Sequence, residues 1–142
     1  MKRREAREKI LQLLFQIDIN KEDQPMSAIR LMFDEDTVSS EDFSFIENRV
    51  SGTFQHLQEI DQNIMNYLKG WTITRLANVD RAVLRLATYE LMYINDTSVN
   101  VILNEAVELA KNFGTNDSPK FINGVLGSLA KDLRVAKENK TE

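Results

Sequence analysis

Apolar residues recur every three to four positions along most of this 142-residue chain, and nowhere do they alternate with polar ones over a sustained stretch. That periodicity puts one apolar stripe on each successive helix and leaves no material for a sheet. With only two Pro and five Gly to interrupt it, the pattern predicts an all-α fold. About seven helices in two packed groups is the natural count. At this length one domain can bury a sufficient core without disulfides or a structural metal.

The individual helices can be placed from their signals. The first spans about 3–19, with Ala6, Ile10, Leu13, Leu14 and Ile17 on one face. Pro25 suits the first position of a short second helix carrying Ile29, Met32 and Phe33. Ser39 followed by Asp42 resembles a capping box for a third helix bearing Phe43, Ile46, Val50 and Phe54, which Gly52 weakens. Leu57, Ile60, Ile64 and Leu68 mark a fourth, stopping near Gly70. Trp71 follows in a connector, where it is expected to plug the two halves together. Helices over 79–94 and 101–113 come next, the latter ended by Gly114 in a left-handed stop. Ser118 as cap and Pro119 as first residue open the last helix, with Ile122, Val125, Leu126, Leu129 and Leu133 inward. Gly124 and Gly127 are expected to permit close packing against a neighbour.

Composition excludes several kinds of chemistry. There is no Cys and one His, so neither a thiolate zinc site nor a cysteine nucleophile can be built. His56 reads as a surface histidine. No phosphate-binding glycine loop is present. No cofactor is expected, and no segment is apolar enough for a membrane span. The charged start, which has no apolar signal segment, and the soluble composition suggest a cytoplasmic protein. Glu90 is the exception among the carboxylates, because it shares the stripe of Val83, Leu86, Ala87 and Ile94. A carboxylate there needs a partner, either a helix start or an arginine.

Charge is unevenly spread. The net charge is −4, yet residues 1–9 carry Lys2, Arg3, Arg4, Arg7 and Lys9 against Glu5 and Glu8. Positive side chains in a first turn oppose the helix dipole, by about 0.3–1 kcal/mol each, so stability does not explain them. Arg3 and Arg7 project on the side of Ile10 and Leu14, and Arg4 lies close to Leu11 and Phe15. Guanidinium groups suit phosphates and stacked bases. Two readings stand from spacing alone: an anion site, or a solvated terminus that aids solubility. The stretch NDSPKF offers a second anion-attracting element, a helix start with Lys120 in its first turn. Phe121 sits at the edge of the core stripe, where it either stacks on a base or packs as a half-buried core residue, the pattern favouring the core. Asp117 repels phosphate but can accept hydrogen bonds from base amino groups.

RREAREKILQLLFQ, NVDRAVLRLATYEL and ILNEAVELAKNFGTNDSPKFINGVLGSLA, in that order, resemble the NusB family of bacterial transcription antitermination factors. The likeness spans essentially the whole chain and is loosest over 20–60. It implies a single domain over 1–142, with one helical subdomain over about 1–55 and another over about 56–142. It implies binding of the boxA element of ribosomal RNA operon transcripts together with a small-subunit ribosomal protein acting as NusE. The RNA polymerase antitermination complex would be the setting, with self-association through the partner's surface as an open possibility. By position, Lys2, Arg3, Arg4 and Arg7 fall in the family's basic start, and Asp117, Lys120 and Phe121 in its RNA-contacting segment. Phe15 and Asp80 match positions facing the ribosomal protein. Phe15 stands where a Tyr can occur, and Pro119 where a His can occur. A NusB-like domain also precedes the catalytic part of a ribosomal RNA cytosine methyltransferase. This chain shows no cofactor-binding region, so a non-enzymatic protein is expected. The competing class is a helical interaction adaptor with no specific RNA role.

Overall fold

The computed structural model describes residues 1–33 and 37–140, with side chains assigned through 134 and at 136. Among the described residues there are seven α-helices and a single 3-10 turn, and no strand. They are α1 (Arg3–Asn20), α2 (Pro25–Met32), α3 (Ser40–Gln55), α4 (Leu57–Met65), α5 (Asn78–Tyr93), α6 (Val99–Phe113) and α7 (Ser118–Lys140), with the turn at Ile73–Arg75 before α5.

Several boundaries have a visible chemical cause. Pro25 takes the first position of α2. The Ser39 hydroxyl accepts from the Asp42 N–H at 3.1 Å, the capping contact expected from the sequence. Ser98 does the same for α6, accepting from the Val101 N–H at 3.2 Å. α1 closes on Lys21 in the left-handed region at φ 51°, where its N–H reaches the Ile17 carbonyl.

α5 is the organising element. It packs against α1, α3, α4, α6 and α7, and its run from Arg81 to Leu91 is buried except at half-buried Arg85. α1, α2 and α3 pack on one another on one side of it, and α4, α6 and α7 surround it on the other. Ile10, Leu13, Ile46, Ile60, Leu84, Leu86, Ile122 and Leu129 meet in one continuous core. Each such side chain contributes roughly 1.5–3 kcal/mol relative to leaving it in water.

Four expectations are corrected. Trp71 does not plug the halves together, since it is 58% exposed. Arg81 holds that connector instead: it donates to the Ile73 and Leu76 carbonyls and grips Asp18 of α1 at 2.8 Å. Gly114 is extended, at φ −97° and ψ −163°, not left-handed. A glycine is needed there for closeness, because a Cβ would lie 2.5 Å from the Ser118 hydroxyl. Gly124 and Gly127 face open space, with nothing within 4 Å of an added Cβ. The tight helix crossing lies instead at Gly52, where a Cβ would meet the Tyr89 ring at 2.4 Å.

Candidate nucleic-acid interface

The basic start becomes two different things once α1 is packed. Lys2, Arg3 and Arg4 are exposed, whereas Arg7 is 4% exposed. One helical turn separates Arg3 from Arg7, and that turn carries the arginine stripe from solvent into the core. Arg7 forks onto Glu90, with its two nitrogens at 3.2 and 2.8 Å from the two carboxylate oxygens. Arg49 of α3 donates to the same carboxylate at 3.2 Å. The partner that Glu90 required is thus a pair of arginines. The expectation that Arg7 touches RNA is revised accordingly: its guanidinium is committed inside the fold, where a phosphate has no access. Arg49 was not singled out in the sequence. Its signal was available, since it sits between Ile46 and Val50 on the apolar stripe of α3, as Glu90 does on α5. Burial lowers the Arg49 pKa and the Glu90 charge opposes that shift.

Phe45 of α3 organises the surface above this pair. The Arg49 guanidinium lies 3.7 Å from its ring centroid and that of Arg3 4.1 Å. Arg3 also donates to Glu41 at 3.1 Å and to Asp42 at 3.4 Å. Arg4 lies across α1 on the other flank and forks onto Glu105 of α6, at 3.2 and 3.1 Å. The hydrogen bond and charge of Glu105 push the Arg4 pKa up.

The second expected element sits at the junction of α6 and α7. The Thr115 N–H donates to the Ser118 hydroxyl at 3.0 Å, and the Ser118 N–H to the Thr115 carbonyl at 3.1 Å. Ser118 is therefore the first residue of α7 and a brace for the turn, not the cap; the first helical bond runs from the Phe121 N–H to the Asp117 carbonyl at 3.2 Å. The brace leaves Asp117 and Lys120 exposed, while Phe121 is half-buried against the core edge.

α1 and α6 connect the two elements. Arg4 meets Glu105 of α6, and further along α1 the residues Leu11, Gln12 and Phe15 share a groove with Phe113 at the end of α6. Eight residues of α1 separate Arg4 from Gln12, a distance of ~12 Å along the helix. Glu8 and Lys9 also line this groove, so the surface between tip and junction carries both signs of charge.

Of the two expected partner-facing positions, Phe15 lines that groove of about 410 Å³, and Asp80 is only the chain neighbour of its Val79 wall. Phe15 is half-buried on its wall beside Val79, and Phe113 on the opposite wall is 48% exposed. Phe113 was not anticipated as a surface aromatic. Asp80 follows Val79 in the first turn of α5, and its Oδ1 is buried with no hydrogen-bond partner among the described residues. No cluster of His, Cys, Asp and Glu able to hold a metal occurs among the described residues, and no helix there is long and apolar enough to cross a membrane.

The sequence model of the NusB family matches residues 4–131. The transcription antitermination protein NusB of Bacillus licheniformis is 47% identical over 133 residues, covering 94% of this chain and 99% of its own length. That of Bacillus subtilis is also 47% identical over 133 residues, covering 94% and 98%. Among solved structures, Thermotoga maritima NusB superposes with a TM-score of 0.87 at 36% identity over 92% of each chain. A chain from a complex of the antitermination factors NusB and NusE with double-stranded RNA gives 0.82 at 27% identity, covering 92% of this chain and 96% of that one. The family model, the curated relatives and the superposed structures agree, and the chain belongs to the NusB family.

Proposed function

We propose that this protein is an RNA-binding transcription antitermination factor. It engages the boxA element of ribosomal RNA operon transcripts, together with a small-subunit ribosomal protein acting as NusE, within the RNA polymerase antitermination complex. The observation that carries this reading is the cationic tip of α1, exposed on an acidic chain, with a groove further along α1 that reaches Phe113 at the end of α6. Its work is non-catalytic and cytoplasmic, where transcripts emerge.

Each element has a physical role in this reading. Lys2, Arg3 and Arg4 neutralise phosphates, and the free N–H groups at the start of α7 add a further anion-attracting end. Lys120 supports them. Phe121 offers the exposed part of its ring to an unpaired base, and Asp117 accepts from base amino groups, which selects sequence more than it adds affinity. Arg7 contributes by holding α1 in place through Glu90. The ribosomal partner docks on the groove beside Phe15, with Asp80 next to its Val79 wall in the first turn of α5. The same apolar groove is the surface through which two copies would self-associate, so partner and self-association compete. The two helical groups, 1–55 and 56–142, act as one body because α5 belongs to the packing of both.

Titrating boxA-bearing single-stranded RNA and a scrambled control into the protein, with and without the ribosomal partner, tests this reading. Preference for boxA that tightens with the partner is expected. The Lys2→Ala, Arg3→Ala, Arg4→Ala triple variant should bind more weakly, with the salt slope shallower by about 0.7 for each phosphate that is no longer neutralised. Phe121→Ala should cost about 1–3 kcal/mol of binding if its ring stacks. Equal binding of boxA and scrambled RNA under all conditions would favour the adaptor class instead.

A further inference from the structure

The exposed arginines that are to meet RNA are already occupied. Arg4 is held by both oxygens of Glu105 at 3.1 and 3.2 Å, and Arg3 by Glu41 at 3.1 Å and Asp42 at 3.4 Å. A carboxylate fork on a guanidinium satisfies the same N–H groups in the same plane that a phosphate would use. The two anions are therefore alternatives at one site, not neighbours. Neither carboxylate lies within α1: the fold presents Glu105 from α6, and Glu41, whose side chain is 82% exposed, comes from α3. The Glu105 side chain is 17% exposed and has little freedom to leave, while Arg4 at 56% can swing away.

We infer that Glu105 and Glu41 are built-in competitors for phosphate, which hold Arg4 and Arg3 in an RNA-free arrangement and set how tight and how selective RNA binding is. This rests on the reading of the α1 tip as a phosphate-binding element. Docking a strand requires each arginine to exchange an internal carboxylate for a phosphate. The released carboxylate then stays close to the strand and repels it. An isolated phosphate contact gains little under those conditions. A strand that also places bases at Phe121 and Asp117, or is held by the partner protein, offsets the exchange. The consequence is discrimination: weak retention of arbitrary RNA by the lone protein, and firm binding only when several contacts form together.

The test compares Glu105→Gln with Glu108→Gln, using boxA-bearing and scrambled single-stranded RNA at several salt concentrations. Both variants remove one negative charge from α6, but Glu108 pairs with Lys111 at 3.5 Å and reaches Arg4 through its charge alone, with no hydrogen bond to it. Glu105→Gln is expected to bind both RNAs about fivefold to tenfold tighter, with scrambled RNA gaining at least as much as boxA. Its salt slope for scrambled RNA, which leaves Arg4 of the unchanged protein on Glu105, should steepen by about 0.7, and that for boxA should stay the same. Glu108→Gln should change affinity less than twofold. Glu41→Gln should act in the same direction as Glu105→Gln through Arg3. In an Arg4→Ala background the gain from Glu105→Gln should vanish. Equal gains at Glu105 and Glu108, a gain that survives Arg4→Ala, or weaker binding by Glu105→Gln would each overturn the inference. If Arg3→Ala and Arg4→Ala in the otherwise unchanged protein leave RNA binding as it was, the fault lies with the α1 tip as an RNA site, which is a separate result.

Discussion

At the scale of single residues, the same side-chain type does opposite jobs four positions apart. Arg3 faces solvent over Phe45, and Arg7 is locked onto Glu90 with Arg49. Removing one member of a buried charge group leaves the others unpaired, which typically costs about 3–5 kcal/mol. Arg7→Ala is therefore expected to lower unfolding free energy by about that amount in a denaturant titration, and Arg49→Ala to act similarly. Arg4→Ala opens an exposed pair that water and salt already screen, so it should leave the denaturation midpoint nearly unchanged. A loss of stability in Arg4→Ala as large as in Arg7→Ala would refute this division. The sequence made the need of Glu90 for a partner legible, because an unpaired carboxylate on an apolar stripe is too costly. It left the partner open, because the helical wheel of α1 says which side Arg7 faces but not what lies there.

At the scale of helices, glycine means different things in α3 and α7. Gly52 is where the Tyr89 ring crosses α3, and that ring is fixed by its hydroxyl bond to Asn48 and by packing against Tyr93 and His56. Gly52→Ala gains helix propensity but forces a buried ring to move, so a net loss of about 1–3 kcal/mol is expected. Gly127 has no neighbour to displace, and Gly127→Ala should stabilise by about 0.5–1 kcal/mol, or about 2–3 °C in melting temperature. Thermal melts of the two variants should move in opposite directions; a shift of the same sign would contradict the packing described. Periodicity located the helices well, and the Ser39 cap and Pro25 start were readable because those signals are local. The roles of the glycines were not readable. A small residue only says that something can come close, and which partner does so depends on how helices cross.

At the scale of the molecule, tyrosine contacts tie distant segments together. The Tyr67 hydroxyl donates to Asp132 of α7 at 2.7 Å, and burial followed by that bond pushes its pKa up to about 12. The Tyr93 hydroxyl donates to Glu59 of α4, which with burial pushes it up to about 12 as well. Both groups ionise later folded than unfolded, where the ordinary value is about 10. Their contribution to stability is complete below about pH 10 and is lost as pH rises through 12. Melting temperature should therefore fall over that window. The Tyr67→Phe, Tyr93→Phe double variant should show a smaller fall, and an unchanged profile would count against the assignment. The sequence by itself determined the all-α class, the helix order, the Ser39 cap and the concentration of positive charge at one end, because periodicity, local hydrogen bonding and charge count are properties of neighbours along a chain. Only the tertiary structure decided that Arg7 is interior, that Glu105 and Glu41 occupy the exposed arginines, and that Arg81 rather than Trp71 secures the connector. Those outcomes depend on pairs more than thirty residues apart for the arginine contacts of α1, and on which polar groups the packed core forces together.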